Sequence, residues 1–428
     1  MASNNSGGLA SLGTSGRHSR GYGTSLIGIR HIVLLIVVIV VILGIVQITR
    51  SVPSPKLQRS IGTTVSVAGS SPTLPWPSVG ESIVGIQGIG VMGSSGGNQP
   101  VPIASIAKMM TALVILNDHP ISLGQQGASI TITPADVATE QSDQAQSQSV
   151  VAVTAGETLT ELQALEALLV PSGNNIATVL ADWDAGSVAS FTLKMNQEAK
   201  ILGMNNTHYA DASGFSSSTV STAADQLKLL MKAMANPVFA AIVAEPQVTL
   251  PVAGLQYNYD YVLGTNGFVG VKTGSDGPAG GCFAFAAVHK VAGRSFTVDG
   301  VVLGQQASTA QPSILRVALT AATQLANAAA QAVSYVTLLP NHQVVAKYLT
   351  PWNSPVSIST TAGISTLGWP GLQVPVTLAL KTPTVGATSN LSAGTLLVAL
   401  GSNTPATKIP LVLSSTIKSP SITWKLFR

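Results

Sequence analysis

An apolar run near the start of the chain limits its fold more than any other feature. Residues 31–49, HIVLLIVVIVVILGIVQIT, lie between Arg30 and Arg50 and contain no Asp, Glu, Lys or Arg. As a helix the run is about 28 Å long, which matches the hydrocarbon core of a bilayer. Signal peptides usually have a shorter apolar region that ends in small residues, so we expect an uncleaved transmembrane anchor. The Gly/Ser/Asn-rich residues 1–30 predict a disordered tail.

Charge is scarce and unevenly distributed along the sequence. Only 9% of the residues are charged, where about 25% is usual, which excludes a disordered chain, a coiled coil and a nucleic-acid binder. Residues 1–60 carry a net +6, residues 61–299 a net −9 and residues 300–428 a net +7. Cys282 is the single cysteine, so an intramolecular disulfide is excluded. The histidines lack metal-ligand spacing, and we expect neither a metal nor another cofactor.

The remaining sequence divides into a spacer and two regions of different pattern. Residues 50–79 contain five prolines and predict an extended linker. Residues 80–333 mix helical and strand periodicities, which indicates an α+β domain. Residues 334–428 hold short β-type runs, including 422–427, and predict a small all-β domain, a sandwich or a barrel. Helices are predicted in the α+β region at 105–116, 158–169, 187–202, 222–235 and 313–333, and strands at 82–92, 268–271, 282–289 and 296–303.

Two residues of the α+β region have the spacing of an activated nucleophile. Ser105 and Lys108 lie on a predicted buried helix, and a spacing of three residues places them on one face. A buried lysine near other cations has a lowered pKa and can accept the serine proton, which turns a weak nucleophile into an effective one.

Two further motifs follow in order. Ser172-Gly-Asn174 comes after a predicted helix, and Lys272-Thr273-Gly274 ends a predicted strand. The second offers a cation and a hydroxyl to a carboxylate, and its glycine lets a substrate backbone lie beside the strand. Each motif alone also fits a helix cap or a turn. The ordered set of three favours an active site.

The motifs and their surroundings resemble the serine D-alanyl-D-alanine carboxypeptidases, the low-molecular-mass penicillin-binding proteins. The similar segments are PIASIAKMMTALVIL, GETLTELQALEALLVPSGNNIA, MNQEAKILGMNNTHYADASGF and GFVGVKTGSDGPAGGCFAFAA. The resemblance covers about residues 80–330 and continues loosely into the terminal β region. It implies a β-lactamase/transpeptidase-like catalytic domain, a sheet flanked by helices, followed by the small all-β domain.

The resemblance also implies roles for single residues. Ser105 would be the acylated nucleophile and Lys108 its proton acceptor. Ser172 and Asn174 would face the leaving group and the substrate amide. Backbone N–H groups of Ser105 and Ser275 would form the oxyanion hole. The implied catalytic residues are Ser105, Lys108 and Ser172, and the implied substrate-binding residues are Asn174, Lys272 (for the terminal carboxylate), Thr273, Gly274 and Ser275.

The expected protein is therefore a membrane-anchored peptidase that removes D-alanine from peptidoglycan stem peptides. Its expected partners are the stem peptide, β-lactam antibiotics as covalent inhibitors and membrane lipid around residues 31–49, with no nucleic acid. The expected location is the cell membrane, single-pass, with the catalytic domain outside. Alternatives of the same fold are an endopeptidase, a transpeptidase and a serine β-lactamase, and a wall-binding scaffold with a relict site is a fourth. No Glu-x-x-x-Asn follows Ser172, which disfavours the β-lactamase.

Two positions depart from the pattern that the resemblance implies. Asn175 stands where relatives often have Asp, and Asp276 stands where they often have Thr. A carboxylate at 276 would repel an anionic peptide, so these two positions bear on rate and substrate preference.

Overall fold

The computed structural model describes residues 26–401 and 405–428, so residues 1–25 of the predicted tail lie outside the described part. The helices are α1 (Leu26–Thr49), a 3-10 turn (Ala104–Ala107), α2 (Lys108–Asp118), α3 (Pro134–Ala145), α4 (Glu161–Leu169), α5 (Asn174–Ala185), α6 (Val188–Ile201), α7 (Ala223–Met234), α8 (Pro237–Val243), α9 (Ile314–Ala332) and α10 (Ile422–Phe427).

Among the described residues, thirteen strands lie up to residue 305 and seven lie after it. Those up to residue 305 are β1 (Lys56–Arg59), β2 (Thr64–Ser66), β3 (Glu81–Ile86), β4 (Gly90–Ser95), β5 (Val101–Pro102), β6 (Ser129–Thr131), β7 (Thr158–Thr160), β8 (Val220–Ser221), β9 (Gln247–Leu250), β10 (Gly254–Tyr257), β11 (Phe268–Asp276), β12 (Gly280–Val291) and β13 (Arg294–Gln305). Those after it are β14 (Ser334–Leu339), β15 (Val344–Thr350), β16 (Asn353–Thr360), β17 (Ile364–Gly368), β18 (Gln373–Leu380), β19 (Ser392–Val398) and β20 (Thr407–Leu413).

The predicted α+β architecture is confirmed by an antiparallel five-stranded sheet in the order β11-β12-β13-β3-β4. Helices α2 and α4 to α8 bury their apolar faces on one side of it, with Ile106, Leu165 and Phe239 inaccessible to solvent. Helix α9 packs on the other side, against the rings of Phe283 and Phe285. The sheet is therefore apolar on both faces, and β11 forms one of its edges.

The C-terminal strands build a separate antiparallel sheet whose core continues into the α9 side of the catalytic sheet. Its order is β1-β15-β16-β20-β19-β18-β2, and β14 pairs with β17 beside it. Strands β1 and β2 belong to the segment 50–79, which the sequence predicts as an extended spacer. The structure differs, since both strands pair with edges of this sheet and satisfy backbone groups that a free linker leaves to water.

Helix α1 is the one unbent helix among the described residues that is long and apolar enough to cross a membrane. It begins at Leu26, five residues inside the predicted tail, and its apolar side chains from Ile29 to Val46 are exposed. Its last turn contacts α10. Arg428 donates to the carbonyls of Gln47, Arg50 and Ser51, at 3.4, 2.7 and 3.1 Å.

One predicted element is wrong in type, and one predicted helix begins later than expected. Residues 422–427 form a helix rather than a strand, because Ser421 caps it by accepting from Trp424 N at 3.1 Å and the helix packs on α1. The predicted helix 158–169 begins only at Glu161. Thr160 is its N-cap in a capping box with Gln163, and the preceding residues pair with β6.

Candidate active site

Ser105 lies in the 3-10 turn that leads into α2, at the floor of a cleft. The preceding residue, Ala104, has φ +45°, a conformation that L-residues rarely adopt. Two glycines allow neighbouring segments to approach this turn. A Cβ on Gly274 would lie 3.0 Å from Ser105 N, and one on Gly214 would lie 1.9 Å from Ala104 O. The position of Ser105 thus depends on close backbone packing from both sides.

Lys108 is completely buried at the start of α2, and its ammonium group contacts four oxygens. It donates to Ser105 Oγ at 2.7 Å, to Asn174 Oδ1 at 2.5 Å, to Ser213 O at 3.2 Å and to Ser172 Oγ at 3.3 Å. The sequence places Ser105 and Lys108 one turn apart, and the structure joins their side chains directly. Asn174 and Ser213 come from segments more than 60 residues away.

The hydrogen-bonding properties of these four oxygens determine which of them a neutral Lys108 can accept a proton from. Asn174 Oδ1 and Ser213 O can only accept, whereas the hydroxyls of Ser105 and Ser172 can also donate. A neutral amine has two N–H bonds and one lone pair. If its N–H bonds serve the two acceptor-only oxygens, its lone pair is left for a serine hydroxyl. The site is therefore arranged for proton transfer from a serine to Lys108.

The electrostatics favour this neutral form. Burial lowers the pKa of Lys108 well below its ordinary value, and repulsion from Lys272 lowers that pKa further. The carboxylates of Asp211 and Asp143 oppose the shift and raise the pKa of Lys108. Asp211, on the loop before Ser213, and Asp143, near the end of α3, therefore partly offset the effect of burial on the Lys108 pKa.

Ser172 and Asn174 reach Lys108 from the segment between α4 and α5. Ser172 is buried, and its φ of +65° is a strained backbone conformation. The Asn174 Nδ2 group donates to Gln148 Oε1 at 2.6 Å, which orients Oδ1 of the same amide toward Lys108. The turn before α5 and the first residue of α5 thus bring both predicted residues to Lys108.

Lys272 lies on β11 but behind the surface of the cleft. Its side chain is buried and donates to Thr273 O at 3.1 Å. Burial lowers its pKa to about 7, against a raising effect of Asp260. Lys272 itself is not part of the cleft wall, whereas the next three residues of the strand, Thr273, Gly274 and Ser275, line it.

The cleft has a volume of about 510 Å³ and joins predicted with unpredicted residues. Predicted residues in its wall are Ser105, Ser172, Thr273, Gly274 and Ser275; Lys108, Asn174 and Lys272 lie behind it. Residues that the sequence analysis missed are Ser149, Tyr259, Tyr261 and the start of α9 with Arg316. No local pattern marks Arg316, because it reaches the cleft only through the packing of α9 on the sheet. Its guanidinium lies 5.3 Å from the ring centre of Tyr261.

Asp211 organises the loop that supplies the Ser213 carbonyl. One of its oxygens accepts from Ser213 Oγ at 2.7 Å, Gly214 N at 2.9 Å and Phe215 N at 3.0 Å. Its other oxygen accepts from Thr219 Oγ1 at 2.5 Å. Asp211 is a further residue that the sequence analysis missed, since its role arises from backbone groups in the loop.

Comparison with known proteins identifies the family to which this chain belongs. The sequence profile of peptidase family S11, D-alanyl-D-alanine carboxypeptidase, matches residues 83–307, more than half of the chain. The chain belongs to this family. The resemblance proposed from the motifs is thereby confirmed, together with the serine-type D-alanyl-D-alanine carboxypeptidase class of enzyme.

Individual relatives of this D-alanyl-D-alanine carboxypeptidase agree with the family match. The chain is 34% identical over 232 residues to D-alanyl-D-alanine carboxypeptidase DacB2 of Mycobacterium tuberculosis, covering 53% of this chain and 75% of that protein. It is 35% identical over 228 residues to a D-alanyl-D-alanine carboxypeptidase of Streptomyces, covering 49% and 73%. The crystal structure of a Streptomyces DD-transpeptidase superposes with a TM-score of 0.51 and 28% identity, over 61% of this chain and 98% of that one.

The two departures from the family pattern have structural explanations. Asn175 is buried and exchanges two hydrogen bonds with Val151, accepting from its N–H at 3.0 Å and donating to its carbonyl at 2.8 Å. An aspartate would lose the second bond. Asp276 accepts from Ala279 N at 2.6 Å, within the β11–β12 turn, and burial raises its pKa.

No metal site accompanies this arrangement. Among residues 26–401 and 405–428, no group of three His, Cys, Asp or Glu side chains is placed to hold a metal ion. Cys282 is buried in β12, and burial raises its pKa to about 12, so its thiolate is scarce at neutral pH.

Proposed function

We propose that the protein hydrolyses the terminal D-alanyl-D-alanine bond of peptidoglycan stem peptides through an acyl-enzyme on Ser105. The observation that supports this most directly is the 2.7 Å contact between Lys108 Nζ and Ser105 Oγ at the floor of the cleft. Family membership indicates the class of reaction. The cleft contains a nucleophile beside a buried lysine whose lowered pKa favours the neutral form.

In this proposal, Ser105 Oγ attacks the carbonyl carbon of the penultimate D-alanine as its proton passes to Lys108 Nζ. The terminal D-alanine leaves when the C–N bond breaks and its nitrogen takes a proton, with Ser172 beside Lys108 on the transfer route. Water then hydrolyses the ester to free Ser105. Backbone N–H groups of Ser105 and Ser275 would stabilise the oxyanion in both steps.

Substrate binding is assigned to the cleft wall opposite Ser105. Strand β11 is an edge strand, so the backbone beside Gly274 can pair with an extended peptide. Thr273 and Ser275 supply hydroxyls, Asn174 an amide, and buried Lys272 a positive potential for the terminal carboxylate. Arg316, in the same wall, adds a guanidinium that suits a carboxylate. A β-lactam would enter the same cleft and acylate Ser105 covalently.

Membrane attachment is assigned to the apolar helix α1. Helix Gly28–Thr49 has the length and composition of a span, and its exposed apolar side chains need a non-aqueous surrounding. We assign the catalytic part, residues 80–333, and the terminal β part, 334–428, to the outer face of the cell membrane, where peptidoglycan is found. A protease added to spheroplasts should then release a large fragment. Release of only a short N-terminal piece would indicate the opposite orientation.

One experiment tests the catalytic proposal. The full chain in detergent is incubated with penicillin and with a pentapeptide muropeptide, and intact mass and released D-alanine are measured. A stable adduct with D-alanine release is expected for the parent, and neither for Ser105→Ala. Rapid penicillin turnover would instead indicate a β-lactamase, and absence of any adduct in the parent a relict scaffold. Crosslinked products would indicate a transpeptidase, and cleavage of a crosslinked dimeric muropeptide, supplied in a parallel reaction, would indicate an endopeptidase.

A further inference from the structure

A small cavity lies on the α7 side of the catalytic sheet and shares no lining residue with the Ser105 cleft. Its volume is about 260 Å³, and its wall is formed mainly by the β3–β4 hairpin, helix α7 and Asp299 of β13. The apolar residues Val91, Leu227 and Met231 are part of this wall. Pockets for drug-sized ligands are usually about 300–1,000 Å³, so the cavity suits a small molecule.

Asp299 places a carboxyl group at this cavity. Side chains alternate along β13, and Val301 and Leu303 belong to the core on the α7 side of the sheet. Asp299 is in phase with them, so its side chain faces α7 from a strand that is paired on both sides. The residue opposite it on β3 is Gly85, which has no side chain and also lines the cavity. The carboxyl group is therefore turned toward the cavity.

This carboxyl group lacks a partner from the protein. Asp299 is only 2% exposed, and neither of its carboxyl oxygens has a hydrogen-bond partner among the residues that the structure describes. Asp299 is also the one charged residue among the described residues that line the cavity. Burial raises its pKa to about 7. Because a buried carboxylate without a donor or a cation is costly, a bound group that supplies both stabilises it.

We infer that the cavity binds a small organic ammonium ion with an apolar body. The ammonium end donates to the oxygens of Asp299 and neutralises its charge, while the apolar body contacts Val91, Leu227 and Met231. An anion is repelled by Asp299, and a neutral alcohol makes a weaker hydrogen bond and leaves the charge uncompensated. Ordered water needs about two to four polar partners, which the apolar part of the wall does not offer.

The test compares three probes of similar shape on the full chain in a nonionic detergent: cyclohexylammonium, cyclohexanol and cyclohexanecarboxylate. At about pH 8 most of Asp299 is ionised, and the amine, like a lysine side chain, is protonated. Calorimetric titration should give the ammonium a Kd at least about tenfold lower than that of the alcohol, since charge-assisted hydrogen bonds are about twice as strong as neutral ones. The carboxylate should not bind.

Asp299→Asn keeps the shape of the side chain and removes its charge. The Kd of the ammonium should then rise at least about tenfold, to the value for the alcohol. Glu81→Gln is the matched control, because Glu81 is also a buried carboxylate of this sheet but accepts from Ala223 N at 3.0 Å and lies outside the cavity. It should bind the ammonium as the parent does.

Two further measurements locate the site. The NMR signal of the Met231 methyl group should move when the parent is titrated with the ammonium. Met231→Trp, which fills part of the cavity and keeps Asp299, should weaken the binding of ammonium and alcohol alike. A cooperative thermal transition shows that each variant is folded.

The inference would be overturned if the parent did not bind the ammonium or bound the alcohol equally well. Unchanged ammonium binding in Asp299→Asn, an equal loss in Glu81→Gln, or binding that leaves the Met231 signal in place would also overturn it. Failure of the proposed function would look different, since the parent would then form no penicillin adduct on Ser105 whether or not the ammonium binds.

Discussion

Lys108 Nζ lies 2.5 Å from Oδ1 of Asn174, an oxygen that can only accept a hydrogen bond. This contact uses one N–H of Lys108, and the Ser213 carbonyl uses another. The remaining electron pair of a neutral lysine is thereby directed to the hydroxyls of Ser105 and Ser172. In the proposed mechanism, the base function of Lys108 thus depends on two oxygens that are distant from it in sequence.

Removal of the lysine tests its role as proton acceptor. Lys108→Ala should lower the rate of penicillin acylation by at least about 10³-fold, because nucleophile and base act as one unit. Stopped-flow acylation with intact-mass readout measures this rate. Lys232→Ala, a lysine near the end of α7, serves as the control and should acylate at the parent rate. Acylation of Lys108→Ala at a comparable rate would exclude Lys108 as the base.

The pH dependence of acylation should respond to Asp211 and Asp143. Both carboxylates raise the pKa of Lys108, so Asp211→Asn and Asp143→Asn should each lower that pKa. Because the neutral lysine is the active form, the acidic limb of the acylation rate should move to lower pH in both variants. Asp211→Asn should also lower the plateau rate, since Asp211 holds the loop with the Ser213 carbonyl. A limb that moves to higher pH would contradict the assignment.

Gly214→Ala should displace the turn that contains Ser105. Gly214 has φ +85°, and its Cβ would lie 1.9 Å from Ala104 O. We expect penicillin acylation to fall more than about tenfold, which corresponds to about 1.4 kcal/mol of transition-state stabilisation. Gly124→Ala is matched for backbone strain, with φ +83°, but has open space at its Cβ. It should lose some stability and retain the parent rate.

Asn175→Asp tests the departure from the family pattern. The carboxylate cannot donate to the Val151 carbonyl, so two buried acceptors would face each other. The free energy of unfolding should fall by about 1–3 kcal/mol in denaturant titrations. Asn98→Asp, at an exposed loop position, should change it by less than about 0.5 kcal/mol. Equal stability of the two variants would show that the Val151 pairing is not required.

The contact between α1 and α10 gives a further prediction. Arg428→Ala removes the guanidinium that bonds to three carbonyls at the end of α1. Amide exchange in α10 should become about tenfold faster, if these bonds together contribute about 1.4 kcal/mol. Lys418→Ala, an exposed cation just before α10, should leave the exchange unchanged. The measurement is hydrogen exchange on the full chain in nanodiscs.

Local patterns in the sequence determined the features that depend on near neighbours. The apolar run predicts α1 because a span needs only length and hydrophobicity. The spacing of Ser105 and Lys108 predicts their contact, since three residues make one helical turn. The ordered motifs predict the family, and with it the α+β fold.

The tertiary structure alone decided the features that join distant segments. The Ser213 carbonyl lies 105 residues from Lys108, and its position depends on how Asp211 folds its own loop. Residues of the predicted spacer form strands β1 and β2 because they pair with β15 and β18, the free edges of a sheet that lies hundreds of residues later in the chain. Arg316 and Tyr261 reach the Ser105 cleft only through the tertiary packing of α9 and of the segment after β10. No sequence periodicity predicts such contacts, because the tertiary fold determines which distant side chains become neighbours.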